Sequence, residues 1–143
     1  MNQRKILIAT DGSEYSYFAA RKSYELFHTW ADEVAFVFVM DAFQMSGNPE
    51  AGVMPQDAAL VIKKEAEIAV QACAKAWNTK KPTIFMPQGR PAEEILQTAA
   101  AWQADLIILG THGRTGIRHL LMGSIAEAVL KKSAVPVMIV PMR

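Results

Sequence analysis

The residues of this chain best suited to chemistry are Gly110-Thr111-His112-Gly113 and, after nine intervening residues, Gly123-Ser124. They follow the apolar run Leu106-Ile107-Ile108-Leu109 and precede the helical-looking Ile125-Ala126-Glu127-Ala128-Val129-Leu130. A buried strand therefore empties into a glycine-rich loop that opens a helix. Glycine permits positive φ and lets a ligand come close to the main chain. The helix start supplies unpaired N–H groups and the positive end of a dipole, both of which attract phosphate. Ser124 adds a hydroxyl. The pattern reads as a nucleotide-phosphate site, against the plainer alternative of turn glycines and an ordinary N-cap. Gly110, Gly113 and Gly116 do not spell G-x-G-x-x-G, and G-x-x-x-x-G-K-[ST] is absent. A standard dinucleotide-binding domain and a P-loop NTPase are both disfavoured.

The elements that must position this loop alternate along the chain. Lys5-Ile6-Leu7-Ile8-Ala9 is a short β-type run stopped by Asp11-Gly12-Ser13. Ser13 is a suitable N-cap for a helix over 14–29, with Phe18, Ala19, Ala20, Tyr24, Leu26 and Phe27 on its apolar face. Residues 34–40 form a continuous apolar strand, as in a parallel sheet covered on both faces. Glycine, asparagine and proline mark 41–55 as a loop, long enough to suggest a functional flap. A helix over 56–78 and a strand over 83–86 follow. Next comes a helix from Pro91 to Trp102, with the proline in its tolerated first-turn position. A strand over 105–109, a helix over 123–132 and a last strand Val137-Met138-Ile139-Val140 complete the series. Strictly alternating strands and helices imply an α/β fold, a five-stranded parallel doubly wound sheet in three layers.

Such sheets bind ligands beyond the carboxyl ends of the strands, where the strand order reverses. Thr10-Asp11-Gly12, Val39-Met40-Asp41 and the Gly110 loop all fall there. Asp11 reads as a ribose or base contact or as a turn residue, and Val39 as an adenine-edge contact or as core. The chain of 143 residues suits one domain spanning 1–143. A net charge of +1 leaves no electrostatic footprint for nucleic acid or an anionic membrane surface. Cys73 is the one cysteine, which excludes an internal disulfide and suggests a buried, inert thiol. Neither a signal peptide nor a membrane-spanning run is recognisable, so a cytoplasmic protein is expected.

The segment G-T-H-G-R-T-G-I-R-H-L-L-M-G-S, continued by I-A-E-A-V-L-K-K-S-A-V-P-V-M-I-V-P, resembles the carboxyl-terminal signature of the universal stress protein family. The ATP-binding branch of that family carries G-x2-G-x9-G-[ST], whose fixed positions Gly110, Gly113, Gly123 and Ser124 fill. K-I-L-I-A-T-D-G-S-E, F-V-F-V-M-D and G-R-P-A-E-E-I resemble other parts of the family, so the likeness spans nearly the whole chain. It implies a nucleotide-binding α-hydrolase-like sheet of strand order 3-2-1-4-5. Asp11 and the Val39 backbone would contact adenine, with Ala9 and Thr10 beside them. Gly110, His112 and Gly113 would lie along ribose and phosphates, with Leu109 at the entrance to the loop. Gly123, Ser124 and Ile125 would cradle the phosphates. Phe38 and Ala9 stand where many members carry histidine and proline, which leaves the base-side detail open.

The function so implied is an ATP-binding stress-response regulator or sensor, with Mg2+ or Mn2+ as a companion ion and a regulatory protein as partner. The enzymatic alternative is a slow ATPase or an adenylate-transferring protein, for which no P-loop lysine or paired metal carboxylates are evident. Asp11 and Asp41 could hold a metal, each also having an ordinary loop explanation. A flavin-binding domain is the third reading, and the glycine pattern does not suggest it. His112 is suited to phosphate and equally to solvent, whereas His119, Arg114 and Arg118 could meet phosphate but more often such residues face solvent. Lys131-Lys132 suit the carboxyl end of a helix dipole. The last strand, apolar and at a sheet edge, is expected to pair with a second copy in a homodimer.

Overall fold

A computed structural model describes residues 3–113 and 122–142. In chain order the elements are β1 (Lys5–Ala9), α1 (Glu14–Phe27), β2 (Glu33–Val37), β3 (Met40–Asp41), α2 (Ala42–Met45), α3 (Pro55–Ala76), β4 (Thr83–Phe85), β5 (Gln88–Gly89), α4 (Pro91–Trp102), β6 (Leu106–Gly110), α5 (Ser124–Lys132) and β7 (Val137–Val140). The main sheet has five strands in the order β4-β2-β1-β6-β7, all neighbours parallel. This is the expected 3-2-1-4-5 order once the minor pair β3-β5 is set aside. Among the described residues no helix is long and apolar enough to cross a membrane.

The period-2 alternation of β1 divides the core in two. Ile6 and Ile8 join Ala19, Ala20, Ile62, Ala66 and Val70 under α1 and α3. Leu7 and Ala9 join Ile95, Ala99, Ala126 and Val129 under α4 and α5. A sheet covered on both faces needs continuous apolar runs, and β1, β2 and β6 have them from Ile6, Val34 and Leu106 onward.

The continuous strand expected over 34–40 is split. Its register against the next strand is unbroken, with Val37 opposite Phe85 and Met40 opposite Gln88. Phe38 N–H donates to the Phe85 carbonyl at 3.0 Å and Met40 N–H to the Pro87 carbonyl at 2.8 Å. Pro87 has no N–H to return to the Phe38 carbonyl, so the ladder loses one bond there and breaks into two. The loop expected over 41–55 is also more ordered than its composition suggests. Asp41 caps α2 by accepting from Phe43 N–H at 2.9 Å, Met45 packs on the core, and Pro49–Ala51 is a 3₁₀ turn.

Helix α1 differs from expectation in its buried face. Leu26 is 57% exposed, and the buried stripe is Ser16, Ala19, Ala20 and Ser23. Hydropathy alone misplaces the stripe because two serines complete it. Each returns its hydroxyl to the preceding turn, Ser16 to the Ser13 carbonyl at 2.8 Å and Ser23 to the Ala20 carbonyl at 2.7 Å. Small side chains there let α1 lie close to the sheet and to α3. Ser23 Oγ also accepts from Trp77 Nε1 at 2.9 Å, tying α1 to the end of α3. Ser23→Ala leaves that buried indole N–H without its acceptor and should cost about 1–3 kcal/mol. Urea unfolding followed by tryptophan fluorescence reads the cost, and an unchanged midpoint would contradict it.

Candidate functional site

The strand order reverses between β1 and β6, and the carboxyl ends of these two strands carry the loops singled out above. After β1, Gly12 at φ +81° turns the chain into α1, a left-handed conformation that favours glycine. Asp11 Oδ1 accepts from Ser13 N–H at 2.9 Å, and Ser13 in turn caps α1 by accepting from Ser16 N–H at 3.3 Å. Thr10 is buried, and its hydroxyl lies 2.9 Å from Ser16 Oγ while accepting from Gly12 N–H at 3.2 Å. Ala9 is buried beside it. Both residues stand behind the rim, and Asp11 stands on it.

After β6 the glycines serve a purpose different from the one their type suggests. Gly110, Gly113 and Gly123 are not among the glycines at positive φ. They are needed for space. A Cβ on Gly110 would lie 2.9 Å from the Tyr15 carbonyl oxygen and 3.0 Å from Tyr15 Cβ, so the first turn of α1 rests directly on the end of β6. A Cβ on Gly113 would lie 2.6 Å from Asp11 Oδ2, which brings the loop after β6 against the loop after β1. A Cβ on Gly123 would lie 3.1 Å from the Thr111 carbonyl oxygen, to which Gly123 N–H donates at 2.6 Å. Leu109 is buried at the base of the loop.

Helix α5 starts at this closure with Gly123 as its N-cap and no side-chain cap. Its first intrahelical bond is from Glu127 N–H to the Gly123 carbonyl at 3.0 Å. The amides of Ser124, Ile125 and Ala126 precede that bond and have no intrahelical acceptor. Lys131 and Lys132 sit in its last turn, as the helix dipole favours. Lys131 Nζ also lies 2.7 Å from Glu127 Oε1 and holds that carboxyl below its ordinary value.

Val39 follows the last bond that β2 makes with β1, from Thr10 N–H to the Val37 carbonyl at 2.9 Å. Phe38 and Met40 turn their amides toward β4 and β5, so alternation aims the Val39 peptide groups past the end of β1. Asp11, Val39, Gly113 and the start of α5 thus border one cleft edge. Among the described residues no three His, Cys, Asp or Glu side chains come together as metal ligands. Arg114, Gly116, Arg118 and His119 lie outside the described residues. A cavity of about 290 Å³ lies at the other end of the sheet, between Tyr24, His28, Asp32, Glu33, Trp77 and Asn78, and shares no residue with these loops.

The sequence profile of the universal stress protein family matches residues 2–141. The chain belongs to that family. Universal stress protein MJ0531 of Methanocaldococcus jannaschii is 36% identical over 140 residues, covering 96% of this chain and 81% of its own. MJ0577 of the same organism is 31% identical over 153 residues, covering 96% and 94%. The solved structure of MJ0577 superposes with a TM-score of 0.81 at 28% identity, over 100% of this chain and 99% of that one. A universal stress protein solved in complex with cAMP shares the fold at a TM-score of 0.68 and 19% identity, covering 99% and 98%. One from Archaeoglobus fulgidus in complex with dAMP does so at 0.61 and 21%, covering 97% and 98%. Mycobacterial relatives are longer, and this chain spans 44% of their length.

Two residues that the motif does not contain stand beside the site of this universal stress protein. Tyr15 approaches Gly110 through its backbone and His112 through its ring. The sequence signal for it was the small size of Gly110, which only packing explains. Cys73 on α3 lies beneath the loop after β1. Burial pushes its thiol up to about 11, the Thr10 side chain opposes this by hydrogen bonding, and the Asp11 charge adds to the rise. At pH 8 the thiol is therefore protonated as well as buried, and a disulfide reagent should label the native protein far more slowly than the urea-unfolded chain. Equal rates in the two states would refute the buried assignment.

Proposed function

We propose that this universal stress protein binds an adenine nucleotide, ATP foremost, at the carboxyl edge between β1 and β6, and serves as a stress-response regulator or sensor. The observation that carries the reading is the contact of Gly113 with the Asp11 carboxylate. It joins a loop suited to a base or ribose to a loop suited to phosphate. Adenine lies between Asp11 and the Val39 peptide groups. Ribose and phosphates run along Gly110, His112 and Gly113 to Gly123, Ser124 and Ile125. The cradle fits an anion: no side chain projects from Gly113 or Gly123, and the first-turn amides of α5 have no intrahelical acceptor. Mg2+ or Mn2+ would accompany the phosphates. The fold is one in which two other members hold the adenine nucleotides cAMP and dAMP.

Titration calorimetry tests the site. The Cβ of Gly113→Val meets only the end of the Asp11 side chain, so the variant should fold. Its branched side chain fills the phosphate path, and ATP affinity should fall at least about tenfold, roughly 1.4 kcal/mol. Equal affinity in wild type and variant would sink the proposed site.

The same reading includes a homodimer through β7. This strand is an edge of the sheet, and Val137 and Ile139 turn their side chains toward the α4–α5 core. Ile107 N–H donates to the Pro136 carbonyl, so in this parallel register the peptide groups of Val137 and Ile139 point away from β6. Those outward groups can pair antiparallel with a second β7 about a twofold axis. A charge at Ile139 would disturb the core, whereas Ile139→Pro removes one outward donor and no bond to β6. Light scattering should give a dimeric mass for wild type and a shift toward monomer for Ile139→Pro. A monomeric wild type would remove the dimer.

A further inference from the structure

We propose that Tyr15 is a positioning residue of the nucleotide site, acting through His112 on the polyphosphate end of the ligand. The inference rests on the nucleotide reading above and extends it to a residue outside the family motif. Tyr15 is the second residue of α1, whose start opens on the same sheet edge as the start of α5. Its backbone is locked: the absence of a side chain on Gly110 lets the Tyr15 carbonyl and Cβ settle against the end of β6. From that anchor its ring reaches His112, with ring centroids 5.3 Å apart and planes tilted by 52°. The rings are tilted rather than stacked flat, at a separation within the range that aromatic pairs favour.

The Tyr15 ring and the Thr111 hydroxyl, 3.1 Å from Nδ1, both contact the His112 imidazole. It lies next to Gly113, where the loops after β1 and β6 touch. Base contacts at Asp11 and Val39 are separate from this pair. Loss of the Tyr15 ring removes one of the contacts that position the imidazole, while the base end stays intact. The expected consequence is selective: a penalty that grows from adenosine to ATP. Among the described residues the Tyr15 hydroxyl has no hydrogen-bond partner, so the ring carries the effect.

Calorimetry on wild type, Tyr15→Leu and Tyr15→Phe with adenosine, AMP and ATP tests this. Tyr15→Leu should weaken ATP by about tenfold and leave adenosine unchanged, and Tyr15→Phe should restore wild-type binding. In a His112→Ala background, Tyr15→Leu should have no further effect. Equal losses for adenosine and ATP, no loss at all, or additive losses in the double variant would each overturn the proposal. Nuclear magnetic resonance without nucleotide separates the positioning step from the binding reading. The His112 ring signals should shift in Tyr15→Leu and keep their place in Tyr15→Phe. A His112 shift in Tyr15→Leu together with a wild type that binds no nucleotide would refute the nucleotide reading and leave the pair as packing. An unshifted ring in Tyr15→Leu would refute the pair itself.

Discussion

Burial of β1 on both faces is the constraint from which the rest of this structure follows. Ile6, Leu7 and Ile8 are wholly removed from solvent, and each such side chain contributes about 1.5–3 kcal/mol. A strand with no solvated face must have helices above and below and strands on both edges. Here β2 and β4 lie on one side of it and β6 and β7 on the other. The reversal between β1 and β6 opens a crevice at their carboxyl ends. The location of the proposed site is a by-product of burying this one strand.

Close approach is what shapes the crevice. Gly110 lets α1 rest on β6, Gly113 lets the loop after β6 touch Asp11, and Gly123 lets that loop close on Thr111. Each of these glycines is a missing side chain, not a special backbone angle. Among the described residues of these two loops, Gly12 supplies the left-handed turn. Behind the rim, Thr10, Ser13 and Ser16 hydrogen-bond one another and the first turn of α1, with Cys73 against Thr10. Buried polar groups are costly unless paired, and this set is paired. It leaves Asp11 supported from below through the Ser13 amide.

A fold that places helix starts at one sheet edge makes an anion site available at little extra cost in specific side chains. Three amides of α5 and the space left by two glycines supply most of what a phosphate requires. In the proposed site, the side chains of Asp11, His112 and Tyr15 would modulate that binding.

The amino-acid sequence by itself determined the alternation of the main strands and helices and the parallel sheet, and the strand order was what its resemblance to the universal stress protein family implied. Apolar runs such as Lys5–Ala9 and Val137–Val140 are short, bounded by turn residues, and repeat with helical patterns between them. Pro91 and Ser13 marked their helix starts correctly, because caps are local interactions. The glycine spacing after β6 was legible as a loop opening a helix. What only the tertiary structure decided involves residues distant in the chain. Pro87 breaks a ladder by lacking a donor opposite Phe38, forty-nine positions away. Ser16 and Ser23 enter the buried stripe of α1 because its neighbours demand small side chains there. Gly110 is small because Tyr15, ninety-five positions earlier, presses on it. Local preference is written in neighbouring residues, whereas close approach depends on which surfaces the fold brings together.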